Sequence, residues 1–245
     1  YIDKESLPTL GTVSRNENGY PIGYFFGYKA IGVFQTQEEI DSYISPATGK
    51  PIQPNAAPGD TKFEDLNGDG VISDDNEDRT MIGKPNPDWM VGLTVAADWN
   101  GFDLSAFFQG SFGADVFDAL RRYELAAVNY TSDALERWTG PGTSNSMPRI
   151  VLGDTPKNFR PSTLLVHDAS FLRLRNLQVG YTLPAQLTRK AYIQRLRFYA
   201  SFDNLLTITG YKGMDPEIGS TMGIDKGVYP QARVYTFGLN LTFYS

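Results

Sequence analysis

Residues 89–109 read WMVGLTVAADWNGFDLSAFFQ, and no other stretch restricts the fold as tightly. At its centre is Asn100-Gly101, the dipeptide best suited to a two-residue type I′ turn, because both central residues take positive φ. Before the turn, Trp89, Val91, Leu93, Val95, Ala97 and Trp99 share one parity, and Met90, Gly92, Thr94, Ala96 and Asp98 share the other. After it, Phe102, Leu104, Ala106 and Phe108 alternate with Asp103, Ser105, Phe107 and Gln109. Side chains on a strand point alternately to two faces, so this is a hairpin with one apolar face and one polar, small-residue face. Each arm is about 10 residues, the length of a transmembrane β-strand. Aromatics close both ends of the apolar face: Trp89 and Phe108 at the open end, Trp99 and Phe102 at the turn. Such girdles suit two membrane–water interfaces. A soluble β-sandwich, with the apolar face against a second sheet, satisfies the same alternation.

Three further strands follow. In 171–183, Leu177, Val179, Tyr181 and Leu183 oppose Asn176, Gln178, Gly180 and Thr182. In 196–208, Leu196, Phe198, Ala200 and Phe202 oppose Arg197, Tyr199, Ser201 and Asp203. In 233–243, Tyr235, Phe237, Leu239, Leu241 and Phe243 oppose Thr236, Gly238, Asn240 and Thr242. Arg173 and Arg175 fall on the apolar parity of their strand. A mid-bilayer arginine on a lipid face costs about 2–4 kcal/mol, so either a bulge switches the parity near Asn176 or both arginines lie at headgroup level. Short links (100–101 and 184–195) alternate strictly with long ones (110–169 and 209–232). Antiparallel strands then collect every short turn at one end and every long loop at the other, the asymmetry of outer-membrane barrels. Five strands are fewer than the roughly eight that close a barrel, and an open sheet leaves two unpaired edges. The expectation is a longer protein with strands upstream, in keeping with a start at Tyr1 without Met or signal peptide.

Composition removes other classes. The net charge of −6 and scattered Lys and Arg give no nucleic-acid surface. No apolar run reaches about 18 residues, which excludes a transmembrane helix and says nothing about a barrel. There is no cysteine, hence no disulfide, thiolate metal site or Cys nucleophile. The single histidine, His167, makes paired-His metal sites impossible and reads as a polar residue near a strand start.

Elsewhere, residues 1–21 read as loop and 21–34 as a short irregular strand packed by aromatics. Residues 37–43 suit one or two helical turns, and 45–62 are irregular. Residues 114–138 carry the most helical pattern, with Val116, Leu120, Tyr123 and Ala127 at three-to-four spacing. Residues 65–78, DLNGDGVISDDNED, place Asp65, Asn67 and Asp69 at positions 1, 3 and 5 of a calcium-type loop. Gly70 stands at the sharp turn, and Val71 offers a backbone carbonyl. Position 12 is Asn76, so the closing ligand shifts towards Asp78. The alternative is a solvated acidic turn held by Asx hydrogen bonds.

Taken in order, these motifs resemble the C-terminal part of the SusC/RagA-like TonB-dependent outer-membrane transporters of Bacteroidetes. The carriers are PIGYFFGYKAIGVFQ (21–35), PGDTKFEDLNGDGVI (58–72), DRTMIGKPNPDWMVGL (78–93), GFDLSAFFQG (101–110), RWTGPGTSNSMPR (137–149), SFLRLRNLQVGYTLP (170–184), LRFYASFDNLLTITGYKGMDPEIG (196–219) and ARVYTFGLNLTF (232–243). One departure is that Ser73 to Glu77 is about two residues longer than the family pattern. The resemblance implies an all-β fold, the last strands of a large antiparallel transmembrane β-barrel of about 22 strands with a plug. It implies a multi-pass protein of the outer membrane, taking up oligosaccharides or peptides, energised by TonB and capped by a SusD-like lipoprotein. It divides the chain into an extracellular loop region, 1–88, and five membrane strands in 89–245 with extracellular loops 110–169 and 209–232. The last strand would be the part read by the barrel-assembly machinery.

The candidate site residues are therefore of two kinds. Asp65, Asn67, Asp69, Val71 and Asp78 would hold calcium. Asp98, Asp103, Ser105, Gln109, Gln178, Arg197 and Asp203 would face the lumen and guide solute, with outer-membrane lipid on the other side of the wall and no nucleic acid as partner. No catalytic chemistry is expected. The competing reading is a secreted, calcium-stabilised β-sandwich that binds glycans. A glycoside hydrolase using Asp215 and Glu217 finds no support in two carboxylates spaced two apart on a loop.

Overall fold

The computed structural model describes residues 13–74, 77–121, 123, 125, 129–217 and 222–244. In chain order its elements are β1 (Ser14–Arg15), β2 (Tyr24–Tyr28), β3 (Ala30–Val33), α1 (Gln37–Ser42), β4 (Thr61–Phe63), β5 (Arg79–Gly83), β6 (Trp89–Trp99), β7 (Phe102–Phe112), β8 (Asp115–Asp118), β9 (Val166–Asp168), β10 (Phe171–Thr182), α2 (Ala185–Thr188), β11 (Ile193–Thr209), β12 (Ile224–Asp225) and β13 (Val234–Phe243). Short 3₁₀ turns lie between them. The chain packs as two units, one of residues 1–86, 115–167 and 218–227, the other of 87–114, 168–217 and 228–245.

The second unit is one antiparallel sheet in the order β13-β11-β10-β7-β6, each strand beside its sequence neighbour. Asn100 and Gly101 take φ of 47° and 85°, as a type I′ turn requires. Directly opposed residues share a face, so the register sorts the side chains. Trp99 pairs with Phe102, Ala97 with Leu104, Val95 with Ala106, Leu93 with Phe108 and Trp89 with Phe112. Beyond them, Leu104 continues to Val179, Ala200 and Phe237. This face is open: Trp99 is 77% and Phe237 76% exposed. Among the described residues no second sheet of the unit covers it, which removes the sandwich reading. One detail of the girdle changes. Strand β7 runs on to Phe112, so Phe112 rather than Phe108 stands beside Trp89 at the open end.

The bulge alternative for the arginines is the one realised. Leu174 stands opposite Phe108 and Asn176 opposite Phe107, leaving Arg175 as the extra residue of β10. One inserted residue reverses parity. Before it Leu172 and Leu174 lie on the apolar face, and after it Leu177 and Val179 do. Arg173, paired with Gln109 and Thr207, therefore lies on the polar face.

The first unit is built from three small sheets, β1-β2-β5, β3-β4 and β12-β8-β9. Its core is aromatic. Phe25 packs on Phe117 and Leu165, while the Tyr28 ring lies tilted against Phe63 and donates its hydroxyl to the Ser73 carbonyl at 2.7 Å. Helix α1 begins where expected, its Thr36 Oγ1 accepting from the Glu39 amide. A buried knot ties distant loops. Asp60 accepts from Arg149 Nε at 2.6 Å, from Asn158 Nδ2 at 3.0 Å and from the Ala57 amide at 2.8 Å.

The helical expectation for 114–138 fails in the described residues. Asp115–Asp118 is a strand, paired in parallel with β12, and Ser132–Glu136 is a 3₁₀ turn. The apolar residues there serve two clusters rather than one face. Phe117 joins Phe25 and Leu165, whereas Tyr123 joins Ala134 and Met147. Ala127 lies outside the described residues, as do Asn76 and the part of the N-terminal loop at 1–12.

Candidate functional site

The polar face of the five-stranded sheet collects all seven polar candidates. Asp98 stands opposite Asp103, Ser105 between Ala96 and Gln178, Gln109 between Gly92 and Arg173, and Asp203 between Asn176 and Val234. Like charges directly opposed are unfavourable, and Arg197 relieves the pair from two strands away. Its Nε donates to Asp103 Oδ1 at 2.8 Å, and its Nη2 to Asp103 Oδ2 at 2.5 Å and to Gln178 Oε1 at 3.1 Å. The reach passes over Gly180 of the intervening strand. A Cβ there would come within 2.5 Å of both the carboxylate and the guanidinium. Asn176 Nδ2 in turn donates to Asp203 Oδ1 at 2.7 Å and Ser201 Oγ at 3.0 Å.

At the long-loop end the same face carries a charged cluster that periodicity did not foresee. Arg173, 2% exposed, donates from Nε to Thr207 Oγ1, from Nη1 to Glu217 and from Nη2 to Asp215 at 2.6 Å. Arg175 donates to Gln109 Oε1 at 2.6 Å, to Asn204 and to Glu217 at 2.5 Å. Asp215 also accepts the amides of Glu217 and Gln231. Burial alone would raise its carboxyl pKa. The two amides and Arg173 outweigh burial and hold it below the usual carboxylate range. The signal was present, though only in combination: two arginines on the wrong parity of one strand, and two carboxylates in the loop that follows its partner.

The acidic loop is closed from within. Asp65 accepts the Gly68 and Gly70 amides, each at 2.8 Å, and Asp69 accepts the Val71 amide. Asn67 Nδ2 donates to Asp69 and Glu77. Asp78, fully buried, accepts the Leu66 and Ser73 amides. The oxygen donors suit a hard cation by type. Among the described residues, no three acidic or histidine side chains are grouped so as to hold a metal ion.

The chain aligns with TonB-dependent receptor P3 of Formosa agariphila at 34% identity over 236 residues, covering 92% of this chain and 22% of the receptor. It aligns with TonB-dependent receptor SusC of Bacteroides thetaiotaomicron at 30% identity, covering 94% of this chain and 21% of SusC. Its fold matches the RagAB peptide importer in the open-open state with a TM-score of 0.71 at 25% identity, covering 97% of this chain and 24% of that one. The chain belongs to the SusC/RagA-like TonB-dependent receptors.

No protein-family model matches it. The chain spans between a fifth and a quarter of the relatives' length. As a piece of a SusC/RagA-like barrel, its sheet is barrel wall, and the exposed apolar face is the lipid side. The relatives are receptors and not enzymes. In this SusC/RagA-like chain Asp215 and Glu217 are each tied to arginine rather than set across a cleft.

Proposed function

We propose that this chain forms the C-terminal wall of a nutrient importer of the outer membrane, energised through TonB and capped by a SusD-like lipoprotein. The observation that carries the reading is the single sheet with one exposed apolar face and one hydrogen-bonded polar face. Long loops gather at one end of that sheet and tight turns at the other. The long loops are extracellular, the turns at Asn100-Gly101 and 183–192 periplasmic. Asp98, Asp103, Ser105, Gln109, Gln178, Arg197 and Asp203 then line the lumen, where they hydrate and guide a peptide or oligosaccharide. RagAB, described as a peptide importer, supports the peptide side of that pair. TonB would engage through parts of the protein outside this chain.

The test uses the full-length protein in its own host. It should fractionate with the outer membrane, migrate heat-modifiably on gels, co-purify with a lipoprotein, and deplete peptides or oligosaccharides from the medium only when TonB is intact. A soluble, non-heat-modifiable product overturns the reading. The acidic loop is a second proposal, that calcium draws Asp65, Asn67, Asp69, the Val71 carbonyl and Asp78 together. It is supported by the spacing of those donors.

A further inference from the structure

Residues 210–217 leave the top of β11, and their carboxylates settle on Arg173 and Arg175. Where those arginines point is decided by register. Arg173 stands between Gln109 and Thr207 on the polar face, and Arg175 binds Gln109 on that face. The segment must therefore turn over the polar side of the wall rather than over the lipid side. It is also bound at depth: Arg173 is 2% and Asp215 6% exposed, and every guanidinium nitrogen of Arg173 has an acceptor. Asp215 holds the returning limb of the same loop through the Gln231 amide. Asp215, then, staples both limbs of the loop to one point on the wall. Tyr211, 8% exposed, is enclosed where the segment begins.

We propose that residues 210–217 are an inward strap, latched by Arg173 and Arg175 to Asp215 and Glu217, that sets the largest solute able to pass this side of the lumen. The proposal rests on the import reading above. Glu217 is the half-exposed, outer bolt of the latch and Asp215 the buried one. Two charges facing two charges make the latch neutral, so it holds without a counter-ion, and loss of either carboxylate leaves the two guanidiniums sharing one acid with a net positive charge.

The test is made in the full-length protein in intact cells, and it has two arms. In the first, Tyr211→Cys is labelled with a membrane-impermeant maleimide; this chain supplies no other cysteine. Labelling should be slow in the parent and at least tenfold faster with Glu217→Gln or Asp215→Asn. In the second, the cells are fed a ladder of maltodextrins and a tryptic digest of casein, and the length profile of what disappears is read by mass spectrometry. Glu217→Gln should admit longer chains while leaving uptake of the short ones unchanged. Heat-modifiable migration confirms that each variant has folded, and the milder Glu217→Gln keeps the test usable if Asp215→Asn has not. Unchanged labelling in both folded variants would refute the latch. Faster labelling with an unchanged length profile would refute the size limit. If the parent itself shows no TonB-dependent depletion, the import reading falls first and the size limit with it.

Discussion

Arg197 binds Asp103 from a strand that does not neighbour it, through two hydrogen bonds of 2.8 and 2.5 Å laid across Gly180. An ion pair spanning two interstrand gaps exists only because the middle strand has no side chain there. The atoms that an added Cβ would meet are the far ends of flexible groups, which can swing away.

Gly180→Ala should therefore cost little by itself. Losing a part-exposed ion pair is worth about 0–1 kcal/mol, and alanine in a strand regains roughly 0.5–1 kcal/mol over glycine. The telling result is the coupling. In an Arg197→Gln background the same substitution should become neutral or stabilising. Unfolding temperatures of the full-length barrel, read by heat-modifiable migration, report this. Additivity within about 0.3 kcal/mol would count against the bridging geometry.

Asp60→Ala should loosen the loop unit. It strands the Ala57 amide, leaves Asn158 Nδ2 with only the longer bond to the Arg149 carbonyl, and removes the group that raises the Arg149 pKa by hydrogen bonding. Unsatisfied buried partners cost about 1–3 kcal/mol. Pulse proteolysis should show earlier cleavage between residues 56 and 160, and Asp60→Asn should recover part of the protection.

Tyr24 gives a window at high pH. Burial, then the hydrogen bond to Glu17, pushes its phenol from 10.0 up to about 12. A raised folded pKa means that its contribution is complete below the unfolded value near 10 and is lost as pH rises towards 12. The tyrosinate absorbance difference between parent and Tyr24→Phe should stay flat past pH 10. A midpoint at 10 would contradict the packing around β2.

Asp215 predicts the opposite dependence for the strap. Its folded pKa lies below the unfolded value, so its contribution is present above about pH 4 and is lost only as pH falls below that. Labelling of Tyr211→Cys, divided at each pH by that of a cysteine placed on an exposed loop so that the thiol's own titration cancels, should be level from pH 8 to 5 and rise only in stronger acid. A rise near neutrality would mean that another group controls the segment.

Calcium should slow digestion of the 65–78 loop, and Asp65→Asn with Asp69→Asn should abolish the effect. Equal digestion with calcium and with chelator would leave the hydrogen-bonded form as the complete description of the loop.

What could be read from the chain alone was whatever repeats every two residues. The Asn100-Gly101 turn, five strands, the apolar and polar faces and the sorting of loops by length all follow from local parity, because a strand's faces are set by its own backbone. The one or two helical turns at 37–43 were legible as well, though the Thr36 cap that starts them was not named. Three matters were settled only in three dimensions. The bulge at Arg175 depends on the registers of β7 and β11 against β10, which no single strand encodes. The match of Arg173 with Asp215 joins residues 42 apart through burial. The spacing at Val116, Leu120 and Tyr123 imitated a helix because separate clusters claimed Phe117 and Tyr123. Periodicity states which way a side chain points; what waits there is decided by the packing of distant segments.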